Sequence, residues 1–378
     1  MAAFLTGGCS EGEPFGHPSA EREKRVEVSF RLEAVGTDVS LVPMTRATSY
    51  TQWFRNTARL LILKKADTRW IVDTTQTVLL DAQSGPWAEL KIAGDLPPCP
   101  FNLELRPGDY RIVAVINWGS ADWNNDLVPG KVVSDETDGS LRTPPLLTYT
   151  ISTHWMNNGY RQLSREVFVA VADFPVPKSG DLHSAGVPPV TLRAERRVAK
   201  FRVLLKDKPS PVNGFSFDMT AHTVQMLLTS KTEPFAEGID ALGGMYYGDP
   251  ALYELPCCMS TMGDFHSSGT ERYQMCQTNS TVFSPFVFAD PASELPIGIL
   301  DIDISGASGG YTYKTDQKFA RTLAASKISG IVFETTDTYD DSSSQIRIDV
   351  VEATDDAGNP ENAAALFDSF FEWNASPY

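Results

Sequence analysis

The residue types that carry catalysis or metal binding are scattered along this 378-residue chain. The five histidines stand far from one another and from any Cys-x-x-Cys pair, at positions 17, 154, 183, 222 and 266. The cysteines at 257, 258 and 276 lack the paired two-residue spacing of structural zinc sites. No His-Glu-x-x-His, phosphate-loop or dinucleotide-binding motif occurs. The sequence therefore predicts no metal, no cofactor and no enzyme activity.

Two short motifs imitate functional signatures. Ser308 lies in a Gly-x-Ser-x-Gly motif, but a hydrolase nucleophile elbow needs a helix after the serine. A strand-like run begins at Tyr311 instead, which favours a glycine-rich hairpin turn over a hydrolase. Residues 122–126 are spaced like the start of a calcium loop, but Leu127 stands where that loop needs glycine. This favours an ordinary polar loop.

Trp118 and Trp123 are the aromatic residues that could bind a ligand. Together they could form a loop platform for sugar rings, which makes a surface glycan-binding lipoprotein our alternative function. Aromatic residues near glycine-rich loops more often close the end of a β-sandwich. The two interpretations predict exposed and buried tryptophans, respectively.

Composition excludes some partners. Lys and Arg number 32 and Asp and Glu 48, so the formal net charge is -16 and a phosphate backbone would be repelled. Nucleic acid is therefore not an expected partner. No stretch of about eighteen apolar residues occurs, so contact with a membrane would need an anchor.

A β-strand with one apolar face is predicted near the start of the chain. Side chains alternate between the two faces of a strand, which places five apolar residues together: Val26, Val28, Phe30, Leu32 and Ala34. A loop with an accessible arginine follows, at Thr45-Arg46-Ala47. The strand could be cut away from a finished domain or exchanged between domains, which indicates assembly.

Cys9 could carry a lipid anchor. It follows a short small-residue segment like the end of a bacterial lipoprotein signal, whose cysteine receives acyl chains such as palmitate after cleavage. Only eight residues precede Cys9 and none is basic, so a complete leader would be longer. The alternative is a free cysteine in a disordered tail. We interpret residues 1–21 as a leader remnant and tether.

With Cys9 lipidated, an even number of cysteines remains: Cys99, Cys257, Cys258 and Cys276. In an oxidising compartment, a bridge from Cys257 or Cys258 to Cys276 would close a short loop. Free thiols are equally compatible with the sequence.

Short strand-like runs separated by turn residues predict an all-β fold. Predicted strands in the first half are 58–65, 69–73, 87–93, 102–105, 109–117, 147–152 and 166–172. The run from Tyr110 to Asn117 is too continuously apolar for an exposed strand and predicts a central strand covered on both faces or nearly so. Arg106-Pro107-Gly108-Asp109 predicts a hairpin turn.

A segment rich in proline, glycine and serine at 174–189 predicts a domain boundary. We expect an N-terminal sandwich at 22–188 and a C-terminal one at 189–378, with strands from 190–194 to 345–351. Residues 230–280 show little periodicity and predict a long loop. A short amphipathic helix is predicted after Asn359, with an extended segment offered to another subunit as the alternative.

The order of these features resembles the fimbrillins, pilus subunits of Gram-negative anaerobes. The resemblance covers roughly the first 210 residues and rests on these segments: Cys9 with the acidic run after it, the strand 26–34, Met44-Thr-Arg46-Ala47, Leu60-Leu-Ile-Leu63, Leu105-Arg-Pro-Gly-Asp-Tyr110, and Leu192-Arg-Ala-Glu-Arg-Arg-Val-Ala-Lys200.

The resemblance implies two tandem transthyretin-like (Greek-key) β-sandwiches and an outer-membrane lipoprotein precursor. It also implies cleavage between Arg46 and Ala47 by an Arg-specific protease, followed by polymerisation through donor-strand exchange. The expected partners are other fimbrial subunits, that protease, the outer membrane through Cys9, and a surface receptor. The sequence thus predicts a structural, tip or accessory subunit of a cell-surface fimbria.

Overall fold

The structure is a computed structural model. It describes residues 25–35, 51–93, 96–119, 122–152, 160–162, 166–178, 189–207, 223–230, 232–248, 252–268, 271–276, 286–306, 309–313, 321–325, 328–340 and 345–351. Every regular element in these ranges is a β-strand, which confirms the predicted all-β class. The described part contains no helix that could cross a membrane. The helix predicted after Asn359 lies outside the described residues.

The strands of the first half are β1 (Val26–Val35), β2 (Thr51–Arg55), β3 (Thr57–Ala66), β4 (Arg69–Leu79), β5 (Glu89–Ala93), β6 (Leu96–Leu105), β7 (Gly108–Ile116), β8 (Val132–Asp135), β9 (Pro145–Thr148), β10 (Thr150–Ser152), β11 (Tyr160–Gln162), β12 (Phe168–Val176) and β13 (Val190–Arg196). Eight of them form one sheet in the order β6-β1-β13-β12-β7-β3-β4-β8. β2 pairs with β5 and β10 pairs with β11.

The eight-stranded sheet turns a corner at β13 and becomes a two-layer sandwich. Residues 190–195 of β13 pair with β1, whereas its last two residues pair with the start of β12. The layers β6-β1-β13 and β12-β7-β3-β4-β8 therefore face each other. The rings of Phe30 in β1 and Phe174 in β12 meet edge to face at 5.1 Å. Near the other side of the sandwich, the Cys99 thiol of β6 donates a hydrogen bond to the Leu79 carbonyl of β4 at 3.1 Å.

The prediction of a central strand at 109–117 is confirmed by β7. Its residues from Ile112 to Ile116 are all fully buried. Alternate side chains enter two different cores, Ile112 and Ala114 on the inner face and Val113 and Val115 on the outer one. Because both faces are covered, an unbroken apolar run is what this position requires.

The predicted hairpin at Pro107-Gly108 is wrong. β6 and β7 are not hydrogen-bonded neighbours, because β7 lies between β12 and β3 in one layer and β6 lies beside β1 in the other. The turn chemistry is nevertheless used, since Gly108 has a φ of 143°, which favours glycine. The turn connects the two layers of the sandwich.

The strands of the second half are β14 (Val198–Asp207), β15 (Thr223–Ser230), β16 (Gly238–Asp240), β17 (Met245–Tyr246), β18 (Glu254–Ser268), β19 (Glu271–Cys276), β20 (Phe286–Phe288), β21 (Glu294–Gly306), β22 (Gly309–Tyr313), β23 (Arg321–Ala324), β24 (Ile328–Asp340) and β25 (Gln345–Val351). Ten of them form the second large sheet, with the central order β22-β21-β15-β18-β19-β14-β24-β25. β9 joins β16 and β17 in a small separate sheet.

The long loop predicted at 230–280 is wrong. This region contains four strands, of which β18 has 15 residues. β18 pairs with β15 on one side and with its hairpin partner β19 on the other, and these two ladders stabilise a segment whose own pattern is weak.

The two large sheets follow each other with Arg197 alone between β13 and β14. The domain boundary predicted at 188/189 stays a prediction. The strand directly after this point, β13, is hydrogen-bonded in the first large sheet. The outer core of the first sandwich includes residues of both halves, among them Val113, Val169, Phe235 and Phe288.

Candidate functional site

The strand β1 lies inside its layer, between β6 and β13. Its antiparallel ladder with β6 covers Val26 to Ala34, and its parallel ladder with β13 covers Phe30 to Val35. The paired residues are roughly 60 to 80 positions away in β6 and 160 positions away in β13. Within the described residues, β1 pairs only with β6 and β13, and neither strand is close to it in sequence. Long-range contacts therefore hold β1 in place.

The apolar face predicted for this strand points into the sandwich core. Its five side chains retain little exposure: Val26 3%, Val28 7%, Phe30 1%, Leu32 0% and Ala34 2%. Phe30 occupies the middle of this row, where its ring stacks on Phe101 with centroids 5.1 Å apart and meets Phe174 edge to face. The face of β1 is therefore an integral part of the inner core.

The opposite face of β1 carries polar contacts at the surface. Glu33 accepts a hydrogen bond from Arg193 of β13 at 2.8 Å, and Glu27 accepts one from Asn102 of β6. The Arg193 side chain is 73% exposed, and exposed ion pairs contribute about 0 to 1 kcal/mol. These contacts help to define the register, while the buried face supplies most of the stabilisation.

A polar cavity of about 320 Å³ adjoins the start of β1. Its lining carries two guanidinium groups, two carboxyl groups and two neutral polar side chains: Arg25, Arg106, Asp73, Glu104, Thr74 and Gln76. Burial, with the nearby Asp73 charge as a second cause, raises the pKa of Tyr110 to about 12. The cavity lining has no serine, cysteine or histidine that could form a nucleophile–base pair.

Cys99 is a free thiol in β6, directly across from Leu32 of β1. Burial raises the pKa of the Cys99 thiol, so it stays protonated at neutral pH. The three cysteines of the second half are Cys257, Cys258 and Cys276, which lie in β18 and β19. Cys276 pairs with Met262 in the ladder between these two strands. Their bonding stays open.

The predicted lipidation residue Cys9 and the predicted cleavage point at Arg46 and Ala47 lie outside the described residues. The described chain resumes at Thr51, the first residue of β2. Lipidation and cleavage both stay predictions.

Trp118 and Trp123 are close together, with ring centroids 6.0 Å apart. The Arg59 guanidinium lies over both rings, 4.9 Å from Trp118 and 4.3 Å from Trp123. Burial lowers the pKa of Arg59. Trp123 is 3% exposed and belongs to the outer core, which leaves no open ring face there for a sugar. Trp118 is partly buried.

Trp87 was predicted to lie in a strand at 87–93, and its exposure was not predicted. The strand begins at Glu89, and Trp87 sits in a turn with 74% of its surface exposed. The signal was Gly85-Pro86 directly before the tryptophan, because proline favours the second position of a turn and ends a regular ladder.

The remaining motif predictions concern polar loops and turns. Asn124 donates its amide hydrogen to the Pro145 carbonyl at 2.8 Å and accepts one from the Asp126 backbone, so its side chain orders the loop. Gly306 pairs with Gly309 in the ladder between β21 and β22, as a hairpin requires, and Ser308 itself lies outside the described residues. No group of three His, Cys, Asp or Glu residues suited to a metal occurs in the part of the chain that the structure describes.

Comparison with known proteins gave structural similarity only. No family model matches the sequence and no curated protein matches it. Similar solved structures include a candidate polysaccharide-binding protein from Bacteroides thetaiotaomicron, with 11% identity, a TM-score of 0.42 and coverage of 82% of this chain and 92% of that chain. A candidate adhesin from Bacteroides ovatus has 11% identity, a TM-score of 0.42 and coverage of 86% and 93%.

The fimbrial anchor protein Mfa2 from Porphyromonas gingivalis is also similar, with 10% identity, a TM-score of 0.39 and coverage of 85% of this chain and 95% of that chain. Identities and TM-scores this low support no inference about the function of this chain. The fimbrillin resemblance found in the sequence therefore stays a prediction.

Proposed function

We propose that this chain is a non-enzymatic subunit of a cell-surface fimbria, in a structural, tip or accessory position, and that it assembles by exchange of the strand β1. The observation that carries the proposal is the placement of β1. It is the first strand of the described chain, it lies inside a layer, and its apolar face completes the inner core.

The energetics favour replacement of β1 over its simple loss. Withdrawing Val28, Phe30 and Leu32 alone would forfeit about 1.5 to 3 kcal/mol of burial for each side chain. It would also expose the hydrogen-bonding groups of β6 and β13 along both sides of the vacated position. An equivalent strand from another subunit would restore both, and repeating a contact that does not close on itself makes a filament.

The topology makes such a replacement simple. Both neighbours of β1 are distant in sequence, so the strand is not held by a hairpin that exchange would have to break. As the first described strand it is followed by residues 36–50, which contain the predicted cleavage point between Arg46 and Ala47. Cleavage there would leave β1 seated by non-covalent contacts alone.

The remaining parts of the proposal come from the sequence. A lipid on Cys9 would anchor the precursor to the outer membrane, an Arg-specific protease would release it, and other subunits of the same or another type would supply the replacing strand. A receptor on a host or bacterial surface would be the target of a tip subunit.

A reversible covalent lock on β1 tests the proposal. Cys99 is the partner of Leu32 in the antiparallel ladder, and paired residues there have Cα atoms about 4.5 to 5.5 Å apart, within the range of a disulfide. Leu32→Cys therefore creates a bond between β1 and β6 when oxidised. Leu103→Cys is the matched control, because it places a cysteine at another buried β6 position that cannot reach Cys99.

The purified full chain is treated with an Arg-specific protease, and SDS-resistant oligomers and new amino termini are recorded with and without reductant. We expect wild type and Leu103→Cys to form an oligomer ladder in both conditions, and Leu32→Cys only after reduction. Oligomers of the oxidised, bonded Leu32→Cys variant would show that β1 is not exchanged. A wild-type chain that never forms oligomers would refute the role as a polymerising subunit.

A further inference from the structure

An alternating series of aromatic rings and guanidinium groups connects the outer core to the surface. From inside to outside it consists of Trp123, Arg59, Trp118, Arg55 and Trp87. Arg59 lies over the two inner tryptophans, and Arg55 donates a hydrogen bond to the Trp118 carbonyl at 3.2 Å. The Arg55 guanidinium also lies 5.6 Å from the centre of the Trp87 ring.

The outermost ring is held in an exposed position by a turn. The Ala88 amide donates to the Gly85 carbonyl at 3.0 Å, so Pro86 and Trp87 are the central residues of this turn. Proline at the first central position presets its backbone angle and directs the next residue outward. Trp87 is 74% exposed, more than any other large hydrophobic residue that the structure describes.

A buried asparagine fixes the loop that carries this turn. The Asn56 side chain is fully buried and donates to the carbonyls of Asp81, Ser84 and Gly85 at 2.9 to 3.0 Å. Its side-chain oxygen accepts the Asp81 amide at 2.6 Å. Its backbone amide donates to the Ala88 carbonyl at 2.9 Å. The loop is thus rigid at both ends, and an exposed ring that is already ordered loses little entropy when it binds.

We infer that Trp87 is the stacking residue of a carbohydrate-binding patch that takes a neutral pyranose ring of a polysaccharide. A protein interface buries about 800 Å² per partner, whereas one tryptophan offers at most about 250 Å². The nearest exposed large hydrophobic residue in sequence, Leu79, is only 38% exposed. The apolar part of the patch is therefore one indole ring, which matches the face of one pyranose ring.

The surroundings of Trp87 supply what a sugar needs beside the ring. Gln83, in the same loop, is exposed and carries an amide that can exchange hydrogen bonds with sugar hydroxyls. The Ser84 hydroxyl donates to the Asp81 carboxylate at 2.9 Å and can still accept a hydrogen bond. The net charge of -16 selects against polyanionic glycans, so the ligand is an uncharged polysaccharide.

Affinity electrophoresis tests this inference. The full, uncleaved chain migrates through native gels that contain dextran, mannan, galactan or xyloglucan, with alginate as an anionic comparison. We expect at least one neutral polysaccharide to retard the wild type, and Trp87→Ala to weaken that binding about tenfold or more. Tyr253→Ala, which removes a 40% exposed aromatic ring elsewhere, serves as the control and should bind like wild type.

Two results would overturn the inference. They are no retardation by any neutral polysaccharide, and equal retardation of wild type and Trp87→Ala. Equal melting temperatures of the variants show that a loss of binding is not a loss of fold. The test needs no cleavage and no strand exchange, so it succeeds or fails independently of the proposed assembly.

Discussion

Replacing Phe30 with alanine removes the central side chain of the β1 face. The ring is 1% exposed and contacts two other rings at 5.1 Å, Phe101 in the same layer and Phe174 in the opposite one. Loss of burial accounts for about 2 kcal/mol. The cavity and the lost aromatic contacts add about 2 kcal/mol, because neighbours anchored in two facing layers cannot collapse into the space. We expect Phe30→Ala to lower the free energy of unfolding by about 4 kcal/mol.

Urea unfolding followed by circular dichroism and tryptophan fluorescence measures this loss. A slope of about 2 kcal/mol per molar converts it to a midpoint shift of about 2 M in the transition of the first sandwich. Arg31→Ala is the matched control on the opposite face of the same strand, where the side chain is 53% exposed, and it should change stability by less than about 0.5 kcal/mol. Equal effects of the two substitutions, or a loss under about 1 kcal/mol for Phe30→Ala, would refute the assigned role of this face.

Three further predictions concern the cores around this strand. The folded-state pKa of Tyr110, about 12, lies above its ordinary value of 10.0, so its stabilisation is complete below pH 10 and is lost as the pH rises towards 12. Alkaline titration should show about 2 to 3 kcal/mol less stability across this window in wild type, and no such component in Tyr110→Phe. Gly243→Ala should lower the melting temperature measured by calorimetry, because its φ is 88° and a Cβ would lie 2.2 Å from Val171. Glu166→Gln should cost about 3 kcal/mol in urea titrations, because it leaves the fully buried Arg196 guanidinium without its carboxylate at 2.8 Å, and a change below about 1 kcal/mol would count against that ion pair.

Alternation in the sequence predicted which side chains of β1 are buried, but not which strands lie beside it. The period of two decides the face of each residue, and Val28, Phe30 and Leu32 follow it. Which strands lie beside β1 depends on long-range pairing. Phe30 pairs with Val190, which lies 160 positions later in the sequence, and no local signal predicts this contact. The turn at Pro107 shows the same limit, because its chemistry specifies a reversal of the chain but not whether the two strands remain in one layer.

The tryptophans show why exposure is harder to predict than strand position. Trp118 and Trp123 lie in a loop, yet the outer core closes over Trp123 because segments from the second half pack there. Trp87 borders a strand, yet the buried Asn56, 31 positions earlier, holds its loop away from the core. Neither arrangement produces a periodic pattern in the sequence. The residue composition around a loop therefore could not predict that Trp123 is buried and Trp87 is exposed. β18 was missed for a related reason, since its ladders with β15 and β19 outweigh its own weak pattern.

The edge strand of the layer that contains β1 affects how a strand from a second copy could pair with this layer. A foreign strand can add to an exposed edge or replace an interior strand. The edge strand β6 contains Pro97, Pro98 and Pro100, and none of these has a backbone N–H to offer to an added strand. Addition at that edge is therefore disfavoured. Replacement of β1 instead uses ladders that already exist on both sides of it, so these prolines favour the proposed strand exchange over the addition of a strand at this edge.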